Sequence, residues 1–327
     1  MSAGGARLLL ERALARRKPS PEGDAVTAGL TAPVRRTTGR VETKRMLGPD
    51  AQVDDKALII APDHPARTDP FLVLSEDWFS VPGFEWHPHR GVETVTTVLD
   101  GVLEHGDNAG HAGALEPGDV QWMTAGRGII HRELAYRNEH AHTLQLWVNL
   151  PAAAKLVGTR YQDVRAAGRP AALGAGSRID VISGSAGGLT GPALNHWPIS
   201  GAIVTLEPGA RLDYAIPARH RAFGYVLSGR AVIAGQPVRA GQIAWSDPVA
   251  PAVPADHAQA AAGDSAWPLS APGQDEVTSI MLYSGQPISE PVVLGGPFVM
   301  NTAAEIEAAF ADFRRGRFGD VPRAMRL

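Results

Sequence analysis

Two short patterns of histidine and acid define the chemistry this chain is equipped for. His87-Pro88-His89 opens one strand-like segment, and His131-Arg132-Glu133 follows a turn rich in glycine at Gly126 and Gly128. In an extended strand, residues i and i+2 point to the same face with Cα atoms about 6.6 Å apart. From that separation imidazole and carboxylate tips can bend to one point, at ligand bonds of about 2.0–2.2 Å. Two such pairs on neighbouring strands would bring His87, His89, His131 and Glu133 to a single ion. Three neutral imidazoles and one carboxylate suit iron, manganese, nickel, copper or zinc, and ligand softness alone does not choose among them. A lone histidine more often satisfies a local hydrogen bond or sits in solvent. Two i/i+2 pairs in a strand-rich chain outweigh that reading.

Other candidates surround this set. Glu93 competes with Glu133 for the carboxylate position: it lies four residues beyond His89, shares its parity along the strand, and is separated from it by Gly91, which permits a bend. His105, Asp107 and His111 occupy a hairpin, where turn-stabilising hydrogen bonds are their expected role. His140 and His142 sit among Asn138 and Glu139 and read as surface. Trp86 and Trp122 read as packing.

The elements that must position these residues are short. Glycine and proline number 36 and 26 in 327 residues, a turn-rich composition that favours many short strands. Strand-like runs cover Ala57–Ala61, Phe71–Leu74, Thr94–Leu99, Val120–Met123 and Thr143–Asn149. After a Gly/Ala-rich stretch at 166–176 they resume at Ile179–Ile182, Ala202–Leu206, Phe223–Leu227, Gln242–Trp245 and Ser279–Tyr283. The two halves echo each other. Thr97-Val-Leu-Asp-Gly101 matches Tyr225-Val-Leu-Ser-Gly229, and Pro117-Gly-Asp-Val-Gln-Trp122 matches Ala240-Gly-Gln-Ile-Ala-Trp245, which indicates an internal duplication. With Gly229 set against Gly101, Ala215 and Pro217 fall opposite His87 and His89, so the second half is expected to hold no metal. One helix is predicted near the C-terminus: Thr302-Ala-Ala-Glu305 has the form of a capping box, followed by Ile306, Ala309, Phe310 and Phe313 at helical spacing. Residues 1–30, broken by Pro19 and Pro21, read as a flexible extension.

The segments Phe84-Glu-Trp-His-Pro-His-Arg-Gly-Val-Glu-Thr94 and Glu116-Pro-Gly-Asp-Val-Gln-Trp-Met-Thr-Ala-Gly-Arg-Gly-Ile-Ile-His-Arg-Glu133 closely resemble the two signature segments of pirins, members of the cupin superfamily. Asp69-Pro-Phe-Leu72 and Gly296-Pro-Phe-Val-Met-Asn-Thr302 are further matches. The resemblance covers roughly residues 33–320. It implies an all-β bicupin of two stacked antiparallel β-barrels of the jelly-roll type with a short C-terminal helix. The expected divisions are 1–30 extension, 31–165 metal-binding barrel, 175–300 metal-free barrel, and 301–327 helix and tail. It also implies one divalent transition metal, Fe2+ first, held by His87, His89, His131 and Glu133, and a monomer. Glu93 is then left as a hydrogen-bonding neighbour of the ligands.

Two functions follow from the resemblance. One is a metal-dependent dioxygenase that opens flavonols such as quercetin with O2, with Glu133 as the acid–base group. The other is a non-catalytic, iron-binding, redox-sensing regulator that binds a protein partner, either a transcription factor or a metabolic enzyme. Composition removes several further classes. A formal charge of −3 gives no basic footprint for nucleic acid, and no cysteine is present to form a disulfide or a thiolate site. No apolar run approaches the roughly 20 residues that span a bilayer. The cytoplasm is the expected location.

Overall fold

The computed structural model describes residues 33–80, 83–250, 263–273 and 275–322. The expected N-terminal extension lies outside these residues. Among the described residues, thirteen strands precede residue 165: β1 (Val34–Arg35), β2 (Arg40–Thr43), β3 (Arg45–Met46), β4 (Asp55–Ile60), β5 (Phe71–Phe79), β6 (Phe84–His89), β7 (Val92–Gly101), β8 (Leu103–Asp107), β9 (Ala112–Leu115), β10 (Val120–Thr124), β11 (Ile129–Ala135), β12 (Ala141–Asn149) and β13 (Arg160–Val164). The predicted apolar runs all fall on strands. The first half is built from a seven-stranded sheet, in the order β13-β10-β7-β12-β5-β4-β3, and a four-stranded sheet, β6-β11-β8-β9. A second seven-stranded sheet runs through Ala171–Gly174, Ser177–Ser183, Ile199–Leu206, Thr278–Gly285, Arg221–Ser228, Gln242–Ser246 and then β2. A five-stranded sheet that includes Arg211–Pro217 and Asp264–Ser270 faces it, completing an all-β bicupin.

Alternation along β7 explains the layering. Val95 points to the joint between the halves, together with Trp122, Leu144, Leu146 and Val148. The second half contributes Phe223, Tyr225, Trp245 and Tyr283 to the same buried cluster, and Phe71 meets Phe223 edge-on at 5.0 Å. Burial of each such side chain stabilises the fold by about 1.5–3 kcal/mol relative to exposure. Trp122 and Trp245, the ends of the two repeated motifs, both lie in this joint. The opposite face of β7 reads Val92, Thr94, Thr96, Val98. Val92 belongs to one apolar cluster with Met123 and Ile129, and Val98 to another with Leu103 and Leu115. A buried polar layer lies between them.

The first and last described elements do not stay with their own halves. β1 pairs in parallel with Asp264–Ser270, and β2 pairs with Gln242–Ser246. Residues 33–43 were assigned by sequence to the first barrel, and their strands instead extend the sheets of the second. A short strand-like run shows that it needs a neighbour without saying which one. The helix at Ala303–Arg314 begins with the predicted capping box, Glu305 N donating to Thr302 Oγ1 and Thr302 N donating to Glu305 Oε2. Its buried Ile306 and Ala309 pack with Phe298 and Phe318 against Ile130 of β11, so this end of the chain backs the first half. Among the described residues no helix is long and apolar enough to cross a membrane.

Candidate metal centre

β11 lies between β6 and β8, and the register sets the site. His131 is the direct cross-strand partner of His87 on one side and of Asp107 on the other. The rings of His87, His89 and His131 pack with centroids 4.3–5.0 Å apart, and one ligand atom from each lies within 4.8 Å of the others. His89 and His131 are buried, and His87 is partly exposed at the edge. Burial pushes all three imidazoles below their ordinary pKa, His89 and His131 well below it with further repulsion from neighbouring rings. All three are therefore neutral at pH 7.

The tautomers of the first two rings follow from their partners. His87 Nδ1 lies 2.7 Å from the Glu85 carbonyl, and His89 Nδ1 lies 3.3 Å from the Pro297 carbonyl. A carbonyl oxygen only accepts, so each Nδ1 carries the proton and each Nε2 keeps its lone pair. The Nε2 atoms of His89 and His131 are buried with no hydrogen-bond partner. Buried polar nitrogens left bare in this way are costly unless something binds them. Three neutral imidazoles, two of them with Nδ1 held by a backbone carbonyl, fit a divalent transition ion, and such a tether is a common feature of metal sites.

Glu133 sits beside this trio. It forms an overlapping group with His131 and His105, and it does not fall within one compact set with His87 and His89. A bulge between β11 and β6 sets Glu133 opposite Phe84. Its carboxyl accepts from Thr96 Oγ1 at 2.8 Å and from Gln145 Nε2 at 2.5 Å, and Trp147 Nε1 in turn donates to Gln145 Oε1. Burial raises Glu133 to about 7, against the lowering effect of those two hydrogen bonds. Such a carboxyl can exchange a proton near neutral pH.

Glu93 departs from expectation. It makes no contact with the histidine trio; Thr124 Oγ1 donates to its Oε1 at 2.7 Å, and Arg160 Nη2 lies 3.8 Å away. Gly91, at φ +73°, turns the chain between β6 and β7 and resets the alternation, so Glu93 faces the joint with the second half. A side chain at Gly91 would collide with the Val299 carbonyl, which keeps this turn a glycine. His105 departs in the other direction. It is a fully buried strand residue whose Nε2 lies 2.8 Å from His131 Nδ1. Its parity with His131 across β8 and β11 was the missed signal. Asp107 does stabilise the turn, accepting from Ala109 N, His111 N and His111 Nδ1. Thr96, Gln145 and Trp147 carry no motif and become legible only once β7 and β12 are placed across from β11.

Comparison with known proteins then settles the family. The Pirin family model matches residues 58–148, and the model of the pirin C-terminal cupin domain matches residues 202–319. Pirin-1 of Arabidopsis thaliana is 34% identical over 317 residues, spanning 96% of this chain and 95% of that protein. The chain belongs to the pirin family. Among solved structures, a quercetin 2,3-dioxygenase from Acinetobacter baumannii is 29% identical and covers 88% of this pirin-family chain and 100% of its own, with a TM-score of 0.74. A bacterial pirin from Escherichia coli, solved in complex with nickel(II), covers 76% of this chain and 99% of its own at 19% identity and a TM-score of 0.57, a likeness of fold.

Proposed function

We propose that this pirin-family protein is a metal-dependent dioxygenase acting on flavonols. One divalent transition ion, iron before manganese, nickel, copper or zinc, is held by His87, His89 and His131, with Glu133 as fourth ligand and proton acceptor. The observation that carries this reading is the trio of neutral imidazoles, two of them with tethered Nδ1 atoms, next to a carboxyl raised to about 7. A bound ion would supply Lewis-acid and redox chemistry toward an enol-like hydroxyl and dioxygen. The remaining work falls to the chain itself. Glu133 in its ionised form accepts the proton of the flavonol 3-hydroxyl at a carboxylate oxygen, while Thr96 and Gln145 keep that carboxylate aimed. Trp147, whose ring meets His89 edge-on at 5.0 Å, and Phe84, 6.2 Å from the His87 ring, present flat apolar surfaces to an aromatic substrate. The Acinetobacter neighbour, titled a quercetin 2,3-dioxygenase, supports the choice of substrate class.

The test mixes protein of verified iron content with quercetin, with and without oxygen, alongside a His89→Ala variant. Oxygen-dependent loss of the flavonol absorbance, absent in the variant, is the expected result. Full metal occupancy with no turnover across several flavonols would overturn it and favour the regulator that binds a protein partner.

A further inference from the structure

His131 differs from its two companions in what holds it. His87 and His89 each face a backbone carbonyl, which fixes their tautomers. The Nδ1 atom of His131 faces another imidazole, the Nε2 of His105 at 2.8 Å. Both rings are fully buried, and burial disfavours the doubly protonated form, so one proton lies between them and either ring could own it. If His105 donates, His131 Nε2 carries a hydrogen and cannot ligate. If His105 accepts, all three ligand rings are alike.

The surroundings of His105 decide between these. Its Nδ1 lies 3.3 Å from the amide of Gln121. The oxygen and nitrogen of an amide exchange places by a half-turn. With Nε2 toward His105, Gln121 Oε1 is buried without a partner. With Oε1 toward His105, that oxygen accepts Nδ1–H, and His105 Nε2 is left as an acceptor. The second arrangement gives that buried oxygen a donor and turns the amide N–H groups to the other side. The His105 ring is also held from the side: Tyr161 lies 5.1 Å away, and His111 stacks on Tyr161 at 5.0 Å with its own Nδ1 on Asp107.

We propose that His105 is a positioning residue. Backed by the Gln121 amide oxygen, it accepts the Nδ1–H of His131 and leaves His131 Nε2 as a bare lone pair in the group formed with His87 and His89. This rests on the reading of those three residues as ligands, and it adds a fourth ring that no metal touches. Its hydrogen bond sets the tautomer and orientation of one ligand.

The test uses the full chain in two measurements. In metal-free protein, 15N–1H correlation spectra of the imidazoles are expected to show His131 as the Nδ1–H tautomer, shifting toward Nε2–H in Gln121→Leu and in His105→Phe. In chelator competition with Ni(II), His105→Phe is expected to bind about 10–100-fold more weakly. His105→Gln, whose Oε1 can accept the same proton, is expected to recover most of that loss, and Gln121→Leu to show a smaller loss. An Nε2–H tautomer at His131 in the metal-free wild type overturns the proposal, as does wild-type Ni(II) affinity in His105→Phe. If the wild type binds no Ni(II), the ligand reading fails, and the tautomer still decides the role of His105. If His105→Phe does not fold, Gln121→Leu and the wild-type spectrum carry the decision.

Discussion

The two halves of this protein fill the space between their sheets differently. Between β7 and β11 the first half buries Thr94, Thr96, Gln121, His105, His131 and Glu133, with apolar clusters above and below. The corresponding space in the second half is packed with Ile216, Tyr214, Val226, Ile233, Trp267, Leu269 and Leu282 in one apolar cluster. A polar interior with bare nitrogens costs stability, whereas close-packed apolar side chains supply it. The two interiors thus differ in kind: one holds a buried layer of histidine and other polar groups, and the other, joined to it through Trp122, Phe223, Trp245 and Tyr283, holds close-packed apolar side chains.

That contrast can be broken most directly at Trp267. Trp267→Ala should lower the unfolding free energy by about 3–5 kcal/mol in a urea titration, because a fully buried ring leaves a cavity. Its folded fraction should bind Ni(II) as the wild type does. A loss below about 1 kcal/mol would show that the second interior is not the stabilising one. A smaller effect is expected with acid. His220, buried in the second half with Nδ1 on Ser284 Oγ, has its pKa lowered by burial from 6.5 to about 4. Between those values the unfolded chain binds more protons, so the stability this neutral ring contributes is complete above about pH 6.5 and is lost as pH falls toward 4. His220→Gln should flatten the dependence of the melting temperature on pH in that window; an unchanged slope would sink the assignment. The smallest effect is expected at Glu93. Glu93→Gln should leave Ni(II) affinity within about twofold, as for independent sites, because the carboxyl faces the joint and not the histidines. A larger loss would return Glu93 to the metal.

The trio His87, His89 and His131 was legible in the sequence because strand alternation is local, and two residues of separation suffice to place side chains on one face. The fold class and the capped helix were legible for the same reason. Alternation carries through a strand only while the strand continues, and this is why Glu93 misled: parity counted across Gly91 assumes a straight chain where the backbone turns. Glu133 was legible by the same alternation as His131; what the sequence does not show is the bulge that makes Phe84 its cross-strand neighbour. His105 was hidden because a strand of five residues that contains Gly106 and lies between Gly101 and Gly110 looks like part of a turn. Pairing between distant segments was out of reach altogether. Nothing in Val34–Arg35 or Arg40–Thr43 announces that these strands complete the sheets of the other half.

The crossing of these outer elements between the halves has a consequence for how the site comes into being. His89 leans on the Pro297 carbonyl, more than two hundred residues downstream, and Arg90 beside it pairs with Asp312 in the closing helix at 3.0 Å. A ribosome releasing the chain from its N-terminus would present all the histidines long before either support existed. Full assembly of the site therefore waits until Asp312 has been made, and a fragment that stops at the apparent boundary between halves would carry the motif without the grip.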